Sequence, residues 1–302
     1  MAGPSQLLAE GADYTPFLIL SGARTGSTML SQALQSNPEI ICFREVFNFS
    51  LNAIDYGVEG YDKTSKADIE LRSKSPTSFL TKQIYREHAD SVRAVGFKFH
   101  YSHFWGYEGL WEALVADRQI RVVHLKRRNL LRMMLSYRIA EHTGVWQDQP
   151  VSAVQDGVRQ ASVVTRKLTP ANAVAALRRP SRAVSFLRRT FRSQRARPKA
   201  ARIPMRITSD ELEEFFVKTA LTVLHFAELF KEHPSVTVSY EDLAADSGKA
   251  YDNVQRFLGL QPKNLSVTLR RQNPEPLSGL VENYDELRAA FKDHPYAWMF
   301  ED

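Results

Sequence analysis

The sequence predicts an α/β fold: a mostly parallel sheet with helices on both faces, plus a helical basic cap insertion. Three observations predict it. Short apolar runs of strand length recur at 17–20, 39–43, 92–99, 120–125 and 235–239. Helical spacings of apolar residues fall between these runs, and strands alternating with helices are the pattern of a parallel sheet buried on both sides. The alternation is broken only from about 143 to 206, so the 302 residues read as a single domain, 1–302, carrying one insertion.

The elements follow in order. Phe17-Leu18-Ile19-Leu20 is a buried strand closed by Ser21-Gly22, and beyond Gly26 the residues Met29, Leu30, Ala33 and Leu34 share one helical face. Asn37-Pro38 stops that helix, because proline offers no N–H and clashes with the preceding turn. The second strand follows at 39–43. Helical patterns at about 79–89, 109–117, 130–141 and 209–233 separate or flank the remaining strands. Pro150, Pro170, Pro180, Pro198 and Pro204 exclude one continuous helix from the insertion, which is expected to form several short helices and loops.

Composition narrows the class. Apolar residues make up 43% of the chain, enough for a sizeable core. No run of eighteen apolar residues occurs, and the N-terminus lacks the basic start and apolar stretch of a signal peptide, so a cytoplasmic location is expected. The single cysteine, Cys42, lies in an apolar run, which predicts burial and excludes an intramolecular disulfide. The net charge of +6 is unevenly spread: residues 157–209 hold 14 Lys or Arg and no acid, leaving 26 basic against 34 acidic residues elsewhere. A basic island on an acidic body fits an anionic small partner or an anionic membrane surface better than nucleic acid. Val184, Leu187 and Phe191 share a helical face flanked by Arg188, Arg189, Arg192 and Arg195, which suits peripheral membrane contact or an acceptor pocket; a solvated surface is the plain alternative.

The first strand-turn-helix unit carries the strongest chemical signal. A glycine turn at a strand's end lets successive N–H groups and the positive end of a helix converge on an anion. In Gly22-Ala23-Arg24-Thr25-Gly26-Ser27-Thr28 the hydroxyls of Ser27 and Thr28 add donors. The turn is P-loop-like but one residue shorter between its glycines, with no Lys after Gly26. Arg24 stands inside it, a planar cation able to bind phosphate or sulfate oxygens in pairs. Further along, Arg128 ends the strand at 120–125 and Ser136 lies eight residues on, two helical turns away, so the two can clasp one phosphate from two sides. Read alone, either is an ordinary surface or helix residue.

Two candidate bases lie at the carboxyl edge of the sheet, where ligands of open α/β sheets bind. Glu45 follows the second strand. His100 ends the third, where alternation puts it on one face with Lys98. His100 and His103 are two potential metal donors, but no third stands at a suitable spacing, so no metal is expected.

LSGARTGSTML resembles the 5′-phosphosulfate loop of sulfotransferases that use 3′-phosphoadenosine 5′-phosphosulfate (PAPS), and RRNLLRMMLSY resembles their 3′-phosphate motif. The similarity covers 16–45, 92–139 and, more weakly, 236–260, and is nearest to bacterial carbohydrate sulfotransferases of the nodulation-factor and trehalose type. It implies that Arg24, Thr25, Gly26, Ser27 and Thr28 hold the 5′ end and Arg128 and Ser136 the 3′-phosphate. It also implies a Glu base at Glu45, whereas the Lys-x-His of the cytosolic steroid and phenol enzymes makes His100 the rival. Those enzymes carry Lys where Arg24 stands, so their substrates do not transfer. A basic loop that closes over the nucleotide in many relatives corresponds to Arg270 and Arg271. PAPS as donor, adenosine 3′,5′-bisphosphate (PAP) as product, and a carbohydrate, lipid or other small hydroxyl acceptor are what the resemblance implies. The alternatives are a divergent P-loop kinase and a non-catalytic basic module for membranes or nucleic acid.

Overall fold

A computed structural model of the protein describes residues 6–49, 51–146, 204–269 and 273–301, with the backbone of 162–163 and 193–194. Its main sheet is five-stranded and wholly parallel, built from β1 (Thr15–Ser21), β2 (Ile40–Phe43), β3 (Ala94–His100), β4 (Arg121–Lys126) and β5 (Ser235–Ser239) in the order β2-β3-β1-β4-β5. Each strand lies within two residues of its expected limits. The register pairs Ser21 with His100 and Leu125, so β1 ends level with both neighbours.

The chain groups into two compact units, Met1–Lys126 with His225–Val267, and Arg127–Leu224 with Thr268–Asp302. The first holds the sheet. On one face, Phe17, Ile19, Val123 and Leu125 pack against Leu30, Ala33 and Leu34 of α1 (Ser27–Gln35) and against α7 (Tyr240–Ala245) and α8 (Ser247–Phe257). Asn37 fixes the end of α1, its side-chain Nδ2 donating to Gln255 Oε1 at 2.9 Å and its side-chain Oδ1 accepting the Glu39 N–H. The opposite face is aromatic: Phe97 and Phe99 of β3 meet Phe47 edge-on or tilted, and Phe104 packs against Phe226. Cys42 is buried on the α1 face of β2, and burial pushes its thiol pKa far up. The sheet therefore has helices on both faces.

Differences from expectation have local causes. The helix expected at 79–89 is α3 (Pro76–Phe79) followed by one π-helical turn, Leu80–Ile84, because Tyr85 leaves the helical path to donate its buried hydroxyl to the Phe17 carbonyl at 2.9 Å. α2 (Lys66–Lys74) was not foreseen, being almost wholly polar, yet Ser65 caps it on the Asp68 N–H. α4 (Leu110–Ala116) falls as expected.

The second unit contains α5 (Leu130–Thr143), α9 (Leu277–Leu280), α10 (Tyr284–Ala290) and most of α6 (Ser209–Leu229). Asn129 caps α5 by accepting the Arg132 N–H at 2.9 Å, and left-handed Gly144 ends it. Leu131, Leu135, Phe216, Leu287 and Phe291 form its core. Apart from a two-residue ladder, Ser162–Val163 with Ser193–Gln194, the basic cap lies outside the described residues, as do Arg270 and Arg271. No helix of the described residues is long and apolar enough to cross a membrane.

Candidate active site

The site forms where the chain's winding reverses. β1 lies between β3 and β4, leading first toward β3 and β2 and later toward β4 and β5, and such a switch point opens a crevice at the carboxyl ends of the strands. The turn from Gly22 to Gly26 stands there. Gly26 caps α1 at φ 85°, and a Cβ on it would lie 2.8 Å from the Tyr240 ring. Arg24 is held at φ 64°, the one non-glycine residue with positive φ among those described. Thr25 Oγ1 donates to the Gly22 carbonyl at 2.9 Å, which closes the turn. With no acid in the first turn of α1, the helix start favours an anion.

β3 brings a second set of groups to this turn. Pleating puts Lys98 and His100 on the α1 face, and both reach the helix start. Lys98 Nζ donates to Thr28 Oγ1 at 2.9 Å, and Ser27 Oγ lies 3.1 Å from His100 Nε2. The same ammonium is 2.8 Å from Glu45 Oε1. Asn48 donates to the other carboxylate oxygen at 2.9 Å, and its N–H bonds the Glu45 carbonyl, so a tight turn fixes Glu45 just beyond β2. His103, on a 3₁₀ turn over Tyr101–Trp105, stacks on His100 with centroids 5.1 Å apart and points Nε2 at Glu45 Oε2, 3.6 Å away.

Electrostatics gives these groups distinct states. Burial pulls the Glu45 carboxyl up, but the Lys98 ammonium, assisted by His100 and His103, overrides it and holds the carboxyl well below the usual range. Burial lowers His100 to about 4, with Lys98 and Arg24 acting the same way and Glu45 opposing. Burial, then neighbouring His100, lowers His103 to about 3. At neutral pH the pocket thus holds a carboxylate and two neutral imidazoles beside the buried Lys98.

The structure therefore joins Thr25, Gly26, Ser27, Thr28, Glu45 and His100 in one place, with Arg24 near enough to influence His100. Sequence reasoning left Lys98 and His103 out of the site. Lys98 was visible through its face-sharing with His100, whereas His103 becomes legible only once the 3₁₀ turn folds it back. Glu45, His100 and His103 place potential ligand atoms within 4.8 Å of one another, so the third donor that spacing did not reveal exists in space. Arg128 and Ser136 belong to the second unit: Arg128 is exposed just before the α5 cap, and Ser136 is buried on α5, accepting from Asn273 Nδ2 at 3.3 Å.

A family model described as "Sulfotransferase family" matches residues 16–263. Nodulation protein H of Rhizobium meliloti (strain 1021) is 24% identical over 289 residues, covering 95% of each chain. Nodulation protein H of Rhizobium tropici is 23% identical over 288 residues, 95% of this chain and 93% of that one. A solved sulfotransferase from Alicyclobacillus acidocaldarius aligns over 96% of this chain and 95% of its own at 16% identity, with a TM-score of 0.45. The family match runs unbroken from the strand that launches the glycine turn, through Glu45 and the Lys98–His100 pair, to beyond α8; the chain belongs to the sulfotransferase family and is a sulfuryl-transferring enzyme.

Proposed function

We propose that the donor is PAPS and that the acceptor is a hydroxyl of a carbohydrate, glycolipid or other small molecule, with PAP as the second product. One observation carries this reading: Lys98 bridges the anion-binding turn and a carboxylate, touching Thr28 on one side and Glu45 on the other. Donors for a phosphosulfate and a base for a hydroxyl thus share one cation. Arg24, the N–H groups from Thr25 to Thr28, the Ser27 and Thr28 hydroxyls, and Lys98 would hold the 5′-phosphosulfate, while the Thr25 hydroxyl stays on the Gly22 carbonyl. By the resemblance, Arg128 and Ser136 would hold the 3′-phosphate, with Arg270 and Arg271, outside the described residues, as further candidates.

In the proposed reaction Glu45 takes the acceptor's proton as its oxygen bonds to sulfur. The bond from sulfur to the 5′-phosphate oxygen breaks, and PAP leaves with that electron pair. Lys98 and Arg24 face the charge that develops; one preorganised donor of this kind is worth about 3–4 kcal/mol. Drawn toward sulfuryl oxygens, Lys98 loosens its grip on Glu45, so donor binding itself raises the basicity of the carboxylate. His100, neutral and within hydrogen-bond reach of Ser27, would orient the sulfuryl group. A metal has no part in this reading, because the only carboxylate of the Glu45-His100-His103 set is already countered by Lys98. The lone buried Cys42 fits a reducing, cytoplasmic setting.

Calorimetry decides between donors. PAP is expected to bind without metal, and tighter binding of ATP with Mg²⁺ would favour the kinase reading instead. Turnover with PAPS is expected to persist in excess EDTA; its loss, restored by zinc, would make the Glu45 cluster a metal centre.

A further inference from the structure

Four residues past Glu45, an aromatic side chain stands in solvent. Phe49 is 41% exposed. The other exposed large apolar side chains among the described residues, Val217, Leu224 and Trp298, lie on α6 or near the chain's end and not on this loop. The loop that bears Phe49 is held firmly. Arg72, buried on α2, spends its guanidinium on backbone carbonyls, donating to Val46 at 2.9 Å, Leu51 at 3.4 Å and Ala53 at 3.5 Å, so it grips the chain on both sides of Phe49. The Asn48 bonds lock the intervening turn to Glu45.

The ring also has a fitted seat. It lies edge-on to His103, centroids 6.5 Å apart at 79°. Behind it is Gly106, where a Cβ would come within 2.6 Å of the ring, so only glycine leaves room for it. Covering an exposed aromatic face with an apolar surface of matching shape recovers free energy. Through His103 the ring borders the carboxylate, since His103 Nε2 lies 3.6 Å from Glu45 Oε2.

We infer that Phe49 is the acceptor platform of this enzyme, on which a pyranose ring lays its flat C–H face while one of its hydroxyls reaches Glu45. The inference rests on the sulfuryl-transfer reading of Glu45, narrows the acceptor to a pyranose and names the residue that selects it. An aromatic ring offers nothing to an open-chain polyol of equal hydroxyl density, which has no flat face to stack. A pyranoside gains the contact and arrives with fewer rotations to freeze.

The test uses the full chain with ³⁵S-labelled PAPS and three acceptors: methyl β-glucopyranoside, sorbitol and phenol. Wild type is expected to favour the pyranoside over sorbitol by about tenfold in kcat/KM, the order of one stacked aromatic contact with its buried area. Phe49→Ala is expected to erase that preference through KM, and Phe49→Trp to keep it. Equal use of sorbitol, a preference for phenol, no transfer to any of the three, or a preference that survives Phe49→Ala each overturns the inference. PAP affinity, measured by calorimetry on the same proteins, separates the failures. If PAP binds wild type and Phe49→Ala alike, the platform alone is in question; if neither binds PAP, the donor reading falls too.

Discussion

At the scale of single residues, Glu45 and Arg24 should separate binding, catalysis and stability. Glu45→Gln keeps the shape of the site but removes its proton acceptor, so transfer should fall by about 10²- to 10⁴-fold while PAP still binds, measured by single-turnover sulfuryl transfer beside calorimetry. The same change strands Lys98 as a buried cation, so melting temperature should drop as well. Arg24 behaves differently, because its left-handed backbone costs roughly 1–2 kcal/mol that glycine would not incur. Glycine brings back about 0.5–1 kcal/mol of unfolded-state freedom, so Arg24→Gly should leave melting nearly unchanged. Turnover, in contrast, should fall by at least about 10²-fold with the loss of a charge-stabilising donor. Equal losses of stability and turnover would show that Arg24 is a structural residue. Arg24 stood out in the sequence as a candidate because it puts a planar cation inside a glycine turn that has no Lys after Gly26. Its strain did not, since nothing in residue order says which turn position takes positive φ.

At the scale of elements, the junction of β1 and α1 sets the geometry that the residues use. Gly26 combines positive φ with close approach to Tyr240, so Gly26→Ala meets both a backbone penalty of about 1–2 kcal/mol and a collision with the ring. PAP affinity should fall by about tenfold or more, since 1.4 kcal/mol is a factor of ten. Adding Tyr240→Ala should recover the steric part alone, which calorimetry on the single and double variants would show. Strands were readable from short apolar runs, because burial on both faces leaves little room for polar residues in β1, β3 or β4. The aromatic side of the sheet was not, since Phe47, Phe104 and Phe226 come from distant segments with no shared period. α2 was missed for a related reason: it is held by caps and by Arg72 and buries almost no apolar side chain.

At the scale of the whole molecule, buried histidines tie the fold to acidity. His100 is lowered to about 4, His103 to about 3 and His124, bonded to the Tyr101 hydroxyl, to about 3, burial being the main cause in each. Their folded-state values lie below the unfolded 6.5, so as pH falls the unfolded chain takes up protons first. Stability present above about pH 6.5 is therefore lost progressively toward about pH 4 for His100 and about pH 3 for His103 and His124, each contributing a slope of up to about 1.4 kcal/mol per pH unit. Urea midpoints should fall steadily from pH 7 to pH 5, and a flat profile would mean that these side chains are solvated. The two-unit grouping was not legible in the sequence, because α6 joins the units without any break in its helical pattern. Cys42 gives this behaviour a built-in clock. Its thiol is enclosed in an edge strand only three residues before Glu45, so an alkylating reagent can mark it only when that strand peels away. Every labelling event would then count a moment at which the proposed base had lost its footing, and a bound nucleotide that slows the count would be holding the sheet's border shut.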